Sequence, residues 1–345
     1  MNILDIVVQY FPPAVFALLL SILMVSLALR FFPRLGLMDR PHLYGHSRAP
    51  IPYYGGSVLL LAFLVSSFIF VPLSPHLAGL LIAATLVSLL GFFDDLFNLH
   101  PLVRIFFQFI AALILVFAGV GVLSISLPFF GVVAFNQFFA ALFTLFWVLT
   151  ILNTMNFIDG VSGLNSGVSF IAALTIFFLS VNPLLHQDLA SQAPVATLSL
   201  IVAMVALGFF LFDFPKPRIL MGDTGSTFFG FMIATLAIFS GGKVATAFLV
   251  LGIPILDMVW VVLRRTFSGQ KFWKGDMKHL HHRLLDLGWS PTKVVLVYLS
   301  VTAILGTSAV LLVSSQQKFF MLIALGLFML ILALALVFIP KKKGA

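Results

Sequence analysis

Four polar stretches interrupt a sequence that is otherwise strongly apolar, and each carries residue types that could do chemistry. The first, "GFFDDLFNLHPLVR", places Asp94 and Asp95 side by side after an apolar run, with Arg104 and Gln108 downstream. Adjacent carboxylates at a helix end could hold a divalent cation, or one could accept a proton while the other stays ionised. The alternative is a pair of solvated charges that ends a membrane helix.

The second stretch, "NTMNFIDGVSGLNSG", spaces Asn153, Asn156 and Asp159 three residues apart, so that they could share one helix face. Gly160 and Gly163 would then let the backbone approach a ligand closely. A polar turn between helices uses the same residue types. Because this stretch lacks the Lys and Arg that other loops carry, we favour a ligand-binding role.

The third stretch, "MGDTGST", sets Asp223 between two glycines, with Ser226 and Thr227 expected to open the next helix. Backbone N–H groups at a helix start can cradle a phosphate, and an adjacent Asp could hold Mg²⁺ against it. The alternative is an ordinary helix N-cap. The stretch is not a Walker motif, because no GK[ST] follows.

The fourth stretch, "DMKHLHHRLLDLG", groups His279, His281, His282 and Arg283 on what we expect to be a short amphipathic helix at the membrane surface. Zinc is disfavoured, since there is no cysteine and no spaced fourth ligand. A role in binding a phosphorylated ligand through hydrogen bonds or positive charge fits these residues better, with the guanidinium group of Arg283 as a bidentate donor. A further stretch, residues 40–57, is interpreted as a basic loop and not as a nucleotide cover.

The elements that must position these stretches are membrane helices. The chain has 345 residues, 61% of them hydrophobic, and a mean hydropathy of +1.18, which indicates an all-α polytopic membrane protein. The absence of cysteine excludes disulfides and thiolate nucleophiles. The first apolar run has no basic region before it, so we interpret it as a spanning helix and not as a signal peptide. We expect residues 124–136 to form a surface hairpin. We predict one domain, 1–345, with about 11 transmembrane helices near residues 11–32, 55–72, 77–93, 104–123, 136–152, 165–182, 194–211, 226–241, 244–264, 293–314 and 319–339.

The basic residues predict the orientation of these helices. All 19 Lys and Arg residues except Lys243 and Lys318 fall on one side, which places the N-terminus outside and the C-terminus in the cytoplasm. The net charge of +8 therefore reports topology, and we expect no nucleic acid partner. Asp257 falls inside the ninth span and should face the protein interior with a partner, Arg264 or Arg265. All the polar stretches lie on the cytoplasmic side and predict one shared site there; the alternative is a secondary transporter that uses Asp257 as a relay.

The ordered series of motifs resembles the polyprenyl-phosphate N-acetylhexosamine-1-phosphate transferase family (MraY/WecA type, glycosyltransferase family 4) over essentially the whole chain. The resemblance implies transfer of a phospho-sugar from a UDP-N-acetylhexosamine to undecaprenyl or another polyprenyl phosphate, with release of UMP. "HLHHR" is similar to the branch that uses UDP-GlcNAc, in the first membrane step of cell-surface glycan synthesis. The phospho-MurNAc-pentapeptide transferase of peptidoglycan synthesis is the alternative within the family. Tyr53 and Leu220 depart from residues common in relatives, Arg and Phe respectively.

The resemblance also implies roles for single residues and partners. It implies Mg²⁺, with Mn²⁺ as a substitute, at a cell-membrane site that faces the cytoplasm, and membrane lipids as surroundings; a homodimer and a covalent aspartyl intermediate stay open. The metal residues would be Asp223 and Asn156, and the catalytic residues Asp94, Asp95 and Asp223. The substrate-binding residues would be Asn153, Asn156, Asp159, Gly160, Arg104, His279, His281, His282 and Arg283.

Overall fold

The computed structural model describes residues 3–41, 48–186, 188–240, 244–267, 279–312 and 314–338. This part of the chain is a bundle of α-helices, which confirms a multi-pass helical membrane protein. It contains seven helices long and apolar enough to cross a membrane: α1 (Ile3–Phe31), α3 (Pro75–Phe97), α5 (Gln137–Phe157), α7 (Leu189–Asp213), α8 (Gly222–Phe239), α12 (Pro291–Leu311) and α13 (Ser315–Phe338). Three shorter apolar helices lie among them: α2 (Gly55–Phe70), α4 (Pro101–Phe117) and α6 (Leu164–Ser180).

Helix α8 is the central helix of the bundle. It packs against α2, α3, α5, α6 and α7, and nearly all of its side chains are buried. A helix that is apolar on all sides is stable only where neighbours surround it. The first turn of α8 carries Asp223, so this residue stands on one of the most firmly packed elements of the fold.

The ninth predicted span is not one helix. The structure divides it into α9 (Val244–Val250) and α10 (Gly252–Phe267). Pro254 lacks the N–H group that would bond to the carbonyl of Val250, and its ring crowds that carbonyl. The apolar character continues through the break, which is why hydropathy alone predicts a single span.

Two smaller elements confirm the sequence prediction. Strands β1 (Ser124–Leu127) and β2 (Gly131–Ala134) form the expected antiparallel hairpin. The histidine stretch forms the short helix α11 (Leu280–Asp286). Parts of the polar stretches, 42–47 and 276–278, lie outside the described residues, as do several of the basic residues that predict orientation: Lys243, Lys271, Lys274, Lys278 and Lys341 to Lys343.

Candidate active site

Asp94 and Asp95 both lie in the last turn of α3, where the helix dipole disfavours negative charge. A three-residue turn then starts α4, whose first turn brings Arg104 back towards them. Arg104 Nη1 lies 2.6 Å from Asp94 Oδ2 and 3.2 Å from Asp223 Oδ2. The other oxygen of Asp94 accepts a hydrogen bond from the backbone N–H of Leu99 at 2.8 Å. A guanidinium group therefore bridges two carboxylates that are 129 positions apart in the chain.

Asp223 is held from a second side by α5. Asn156 Nδ2 donates to Asp223 Oδ1 at 3.0 Å and to the hydroxyl of Ser226 at 3.0 Å. The side chain of Asp223 is 31% exposed, so a ligand can reach it. The structure thus brings Asp94, Arg104, Asn156 and Asp223 into one contact network, as the sequence predicts.

Asp95 also belongs to α3, but its side chain contacts the start of α8, and its contacts differ from those of Asp94. It accepts hydrogen bonds from the backbone N–H of Asp223 at 2.9 Å, and from the backbone N–H and hydroxyl of Thr224 at 3.1 and 2.8 Å. The sequence predicts that N–H groups at this helix start cradle a phosphate. In the structure two of them bind Asp95, because a carboxylate of the protein itself satisfies the unpaired donors of the first turn.

The asparagine stretch is placed differently from the prediction. Asn153 and Asn156 lie in α5, but the helix ends at Phe157, so Asp159 is not on a shared helix face. Asn153 Nδ2 donates to Gln108 Oε1 at 3.0 Å and ties α5 to α4. Burial, followed by the charges of Asp213, Asp223 and Asp95, raises the pKa of Asp159 well above its ordinary value. Asp159 therefore lies near the other acids, but it does so from the turn that follows α5 and not from the helix.

Asp257 on α10 anchors the histidine helix. Its Oδ2 lies 3.1 Å from His279 Nδ1, and its Oδ1 accepts the backbone N–H of Leu280 at 2.9 Å. Asp257 is buried, which confirms that it faces the interior and has a partner. The sequence points to Arg264 or Arg265 as that partner and does not indicate these contacts with His279 and Leu280.

The turn after α5 meets α11 at Gly160. A Cβ atom on Gly160 would lie 2.7 Å from His281 Nε2 and 3.2 Å from His282 Nε2, so the histidines approach to a distance that only glycine allows. His281 is fully buried, and among the described residues neither of its ring nitrogens has a hydrogen-bond partner. Burial, with smaller contributions from His282 and His279, lowers the pKa of His281 to about 3. The neutral ring offers one donor and one acceptor at this contact.

Arg283 lies on another side of α11. With Arg264 it lines a groove of about 470 Å³ between α10 and α13, whose other walls are mostly apolar. Arg283 is therefore a predicted site residue that the structure places apart from the contacts among Asp94, Arg104 and Asp223.

Tyr53 is a site residue that the sequence interpretation missed. Its hydroxyl donates to Asp95 Oδ1 at 3.0 Å, although the stretch around it is interpreted above as a basic loop. The available signal was the Gly55–Gly56 pair that follows, because paired glycines indicate close backbone approach.

The donors of this site fit a hard divalent cation. Within the described ranges no group of three or more His or Asp side chains is arranged to hold a metal by itself. Mg²⁺, however, commonly binds one or two carboxylates together with water and substrate phosphates. Asp223, which is partly exposed, supplies such oxygens, whereas both oxygens of Asp94 are already engaged by Arg104 and by the N–H of Leu99. As oriented here, Asn156 donates its amide N–H to Asp223 and so holds that carboxylate.

The fold and this centre together define a multi-pass membrane protein in which two carboxylates, from α3 and α8, flank an arginine where helix ends meet. The Glycosyl transferase family 4 model matches residues 77–241, which include Asp94, Asn156 and Asp223. The chain is 32% identical over 293 residues to a decaprenyl-phosphate N-acetylglucosaminephosphotransferase of Mycobacterium tuberculosis, an alignment that covers 76% of this chain and 72% of the relative. The chain belongs to glycosyl transferase family 4, which confirms the resemblance seen in the motifs.

Two other relatives carry different activity names. A probable undecaprenyl-phosphate N-acetylglucosaminyl 1-phosphate transferase of Bacillus subtilis is 29% identical over 327 residues, covering 91% of this chain and 89% of the relative. A phospho-N-acetylmuramoyl-pentapeptide-transferase of Lactobacillus johnsonii is 31% identical over 281 residues, covering 76% of this chain and 84% of the relative.

Proposed function

We propose that this protein transfers N-acetylglucosamine-1-phosphate from UDP-GlcNAc to a polyprenyl phosphate, undecaprenyl phosphate in the first instance, and releases UMP. The observation that carries the proposal is the bridge from Asp94 through Arg104 to Asp223. Relatives named for this reaction over most of the chain support it. The reaction joins two anions, so its main obstacle is charge repulsion, and positioning with charge neutralisation is the expected means of catalysis.

Each residue of the centre has a part in this scheme. Asp223 would hold Mg²⁺ or Mn²⁺, with Asn156 keeping its carboxylate in place, and the bound cation would neutralise the donor diphosphate. Arg104 adds a second positive charge beside it. Asp94 is engaged by Arg104 and by the N–H of Leu99, so it orients the guanidinium. An acceptor phosphate monoester, with a second pKa of about 6, is largely dianionic at neutral pH and needs little help from a base.

The histidine helix would serve the donor. Gly160 and His281 meet where α11 and the turn after α5 come together. Because His281 is fully buried, it would shape the turn at Gly160 and leave contact with the donor to the partly exposed His282. Asp159 and His282 stay proposed binding residues around the same turn, and Asn153 stays one on α5, where it bonds to Gln108.

The groove between α10 and α13 suits the acceptor lipid. Leu256, Trp260 and Leu330 are among its apolar walls, and Arg264 and Arg283 supply positive charge. Asp257 also lines the groove, and its two oxygens contact His279 and the N–H of Leu280. A single hydrocarbon chain with a phosphate head matches that distribution. Arg283 would then contact the acceptor, while the histidines of the same short helix face Gly160.

We further propose that the protein has 11 spans, with the N-terminus outside and the centre facing the cytoplasm of the cell membrane. The positive-inside distribution of Lys and Arg supports this orientation. UDP-sugars are made in the cytoplasm, so a cytoplasmic centre also matches the proposed donor.

The test is UMP release by the purified protein in detergent, with undecaprenyl phosphate, Mg²⁺ and UDP-GlcNAc. Parallel reactions contain UDP-MurNAc-pentapeptide, or lack either the lipid or Mg²⁺. We expect UMP only with UDP-GlcNAc, lipid and metal together. Turnover of the pentapeptide donor alone would support the second activity, which the Lactobacillus johnsonii relative favours. No turnover with either donor would contradict the proposal and would favour the alternative, a secondary transporter.

A further inference from the structure

The segment before α2 is bound to the segment before Asp223 by backbone hydrogen bonds. Leu220 N–H donates to Pro52 C=O, Gly55 N–H donates to Leu220 C=O, and Gly56 N–H donates to Met221 C=O, each at 2.9 Å. These three hydrogen bonds hold the two segments against each other. A side chain from the first segment then has a fixed position relative to Asp223.

Tyr53 is that side chain, and it completes the contacts of Asp95. With Tyr53 at 3.0 Å, Asp95 accepts four hydrogen bonds, two at each oxygen, and the other three come from Asp223 N–H and Thr224. A carboxylate offers about four acceptor positions, so all of them are occupied by protein donors. Gly222 has φ +69°, and a Cβ there would lie 2.5 Å from Asp95 Oδ2, which leaves no space for a ligand on that side.

We propose that Asp95 and Tyr53 are positioning residues, which hold the first turn of α8 so that Asp223 points at the cation, and that neither contacts the reacting groups. The proposal rests on the proposed function in one respect, since it takes Asp223 as the metal-binding residue. Asp94 and Asp95, adjacent in sequence, then have different tasks. Asp94 contacts Arg104, which in turn contacts Asp223. Asp95 affects Asp223 only through the backbone of the first turn of α8.

Two features of the neighbouring residues support this assignment. Burial, followed by the charges of Asp95 and Asp223, raises the pKa of Tyr53, so its hydroxyl stays protonated and stays a donor. Thr224, which supplies two of the four hydrogen bonds, is 1% exposed and cannot touch a substrate. An effect of Thr224 on metal binding must therefore pass through the packing around Asp95.

The test uses two variants that each remove one hydroxyl donor to Asp95, Tyr53→Phe and Thr224→Val. The matched control is Tyr10→Phe, because Tyr10 is buried in α1 against Phe177, in a small hydrophobic cluster apart from the main core. Mn²⁺ affinity is measured on the purified proteins without substrate by electron paramagnetic resonance, and turnover is measured over a range of Mg²⁺ concentrations. Thermal unfolding of each variant shows whether the protein is folded.

We expect the Kd for Mn²⁺ to rise roughly tenfold in both variants, as the loss of a hydrogen bond to a charged group predicts, and to be unchanged in Tyr10→Phe. Turnover should recover at high Mg²⁺, because the catalytic groups are intact. An unchanged Kd in both variants would overturn the proposal, and so would a loss of turnover that excess metal does not restore. If wild-type protein binds Mn²⁺ but releases no UMP, the proposed function fails while the positioning result still stands.

Discussion

Replacing Asp223 by asparagine should abolish transfer while leaving the fold intact. Asparagine has nearly the same size as aspartate and can still accept the hydrogen bond from Asn156. It lacks the negative charge that would hold a divalent cation against the donor diphosphate. A cation at a transferring phosphoryl group contributes several kcal/mol, and removing about 4 kcal/mol slows the reaction about a thousandfold.

The stability of the protein should change little in the same variant. The contact between Arg104 and Asp223 is at 3.2 Å, and the two side chains are 27% and 31% exposed. Ion pairs that are this accessible contribute about 0.2–1 kcal/mol. Arg104 also keeps its closer partner, Asp94, at 2.6 Å. We therefore expect the free energy of unfolding to fall by less than about 1 kcal/mol.

UMP release at saturating Mg²⁺ measures the first effect, and thermal unfolding in the same detergent measures the second. Asp188→Asn is the matched control, because Asp188 caps α7 through the N–H of Ala190 and asparagine caps a helix about equally well. It should retain wild-type turnover. A turnover of Asp223→Asn within tenfold of wild type would refute the metal assignment, and a loss of folded protein would refute the expected small effect on stability.

Three further changes test other parts of the site. Gly160→Ala would place a Cβ 2.7 Å from His281 Nε2, so the histidine helix or the turn must shift, and a misplacement of about 1 Å costs about a hundredfold in rate. Steady-state kinetics with UDP-GlcNAc measures the fall in kcat/KM, and unchanged kinetics would separate the histidine helix from the reaction. Asp257→Ala removes the acceptor for His279 and for the first N–H of α11. Amide hydrogen exchange of residues 280–286 should therefore accelerate, and turnover should fall. Exchange as slow as in the wild type would show that other contacts hold α11. Asp159→Asn should raise the thermal stability at pH 8 more than at pH 4. The pKa of Asp159 is higher in the folded protein than in the unfolded chain. As pH rises above the ordinary pKa of 3.8, the unfolded chain therefore loses this proton before the folded protein does, and the free energy of unfolding of the wild type falls. Melting curves of both proteins at the two pH values measure the difference, and an equal shift at both would argue against that pKa change.

The sequence was sufficient for the fold class and for the gathering of the polar stretches. Apolar runs of membrane length leave few alternatives to a helical bundle. The one-sided distribution of Lys and Arg then predicts that the polar stretches share one face. The hairpin at residues 124–136 was also predictable, since its apolar segments are too short to span.

The particular contacts of the site were not predictable, because they join residues that are distant in the chain. Asp95 contacts the N–H of Asp223 across 128 positions, and Tyr53 contacts Asp95 across 42. No local pattern encodes such pairs. The end of α5 before Asp159 is likewise set by the tertiary position of the turn, since the spacing of Asn153, Asn156 and Asp159 permits a helix.

The aspartate pair shows why spacing alone can mislead. Successive residues in an α-helix point about 100° apart, so two adjacent carboxylates at a helix end cannot easily hold one ligand between them. In α3 this divergence directs Asp94 to Arg104 on α4 and Asp95 to the start of α8. The negative charge at the unfavourable end of α3 is thereby offset twice, once by a guanidinium and once by the positive end of another helix dipole. The same two contacts fix the position of Asp223, so the pair is stabilised by the elements that it orients.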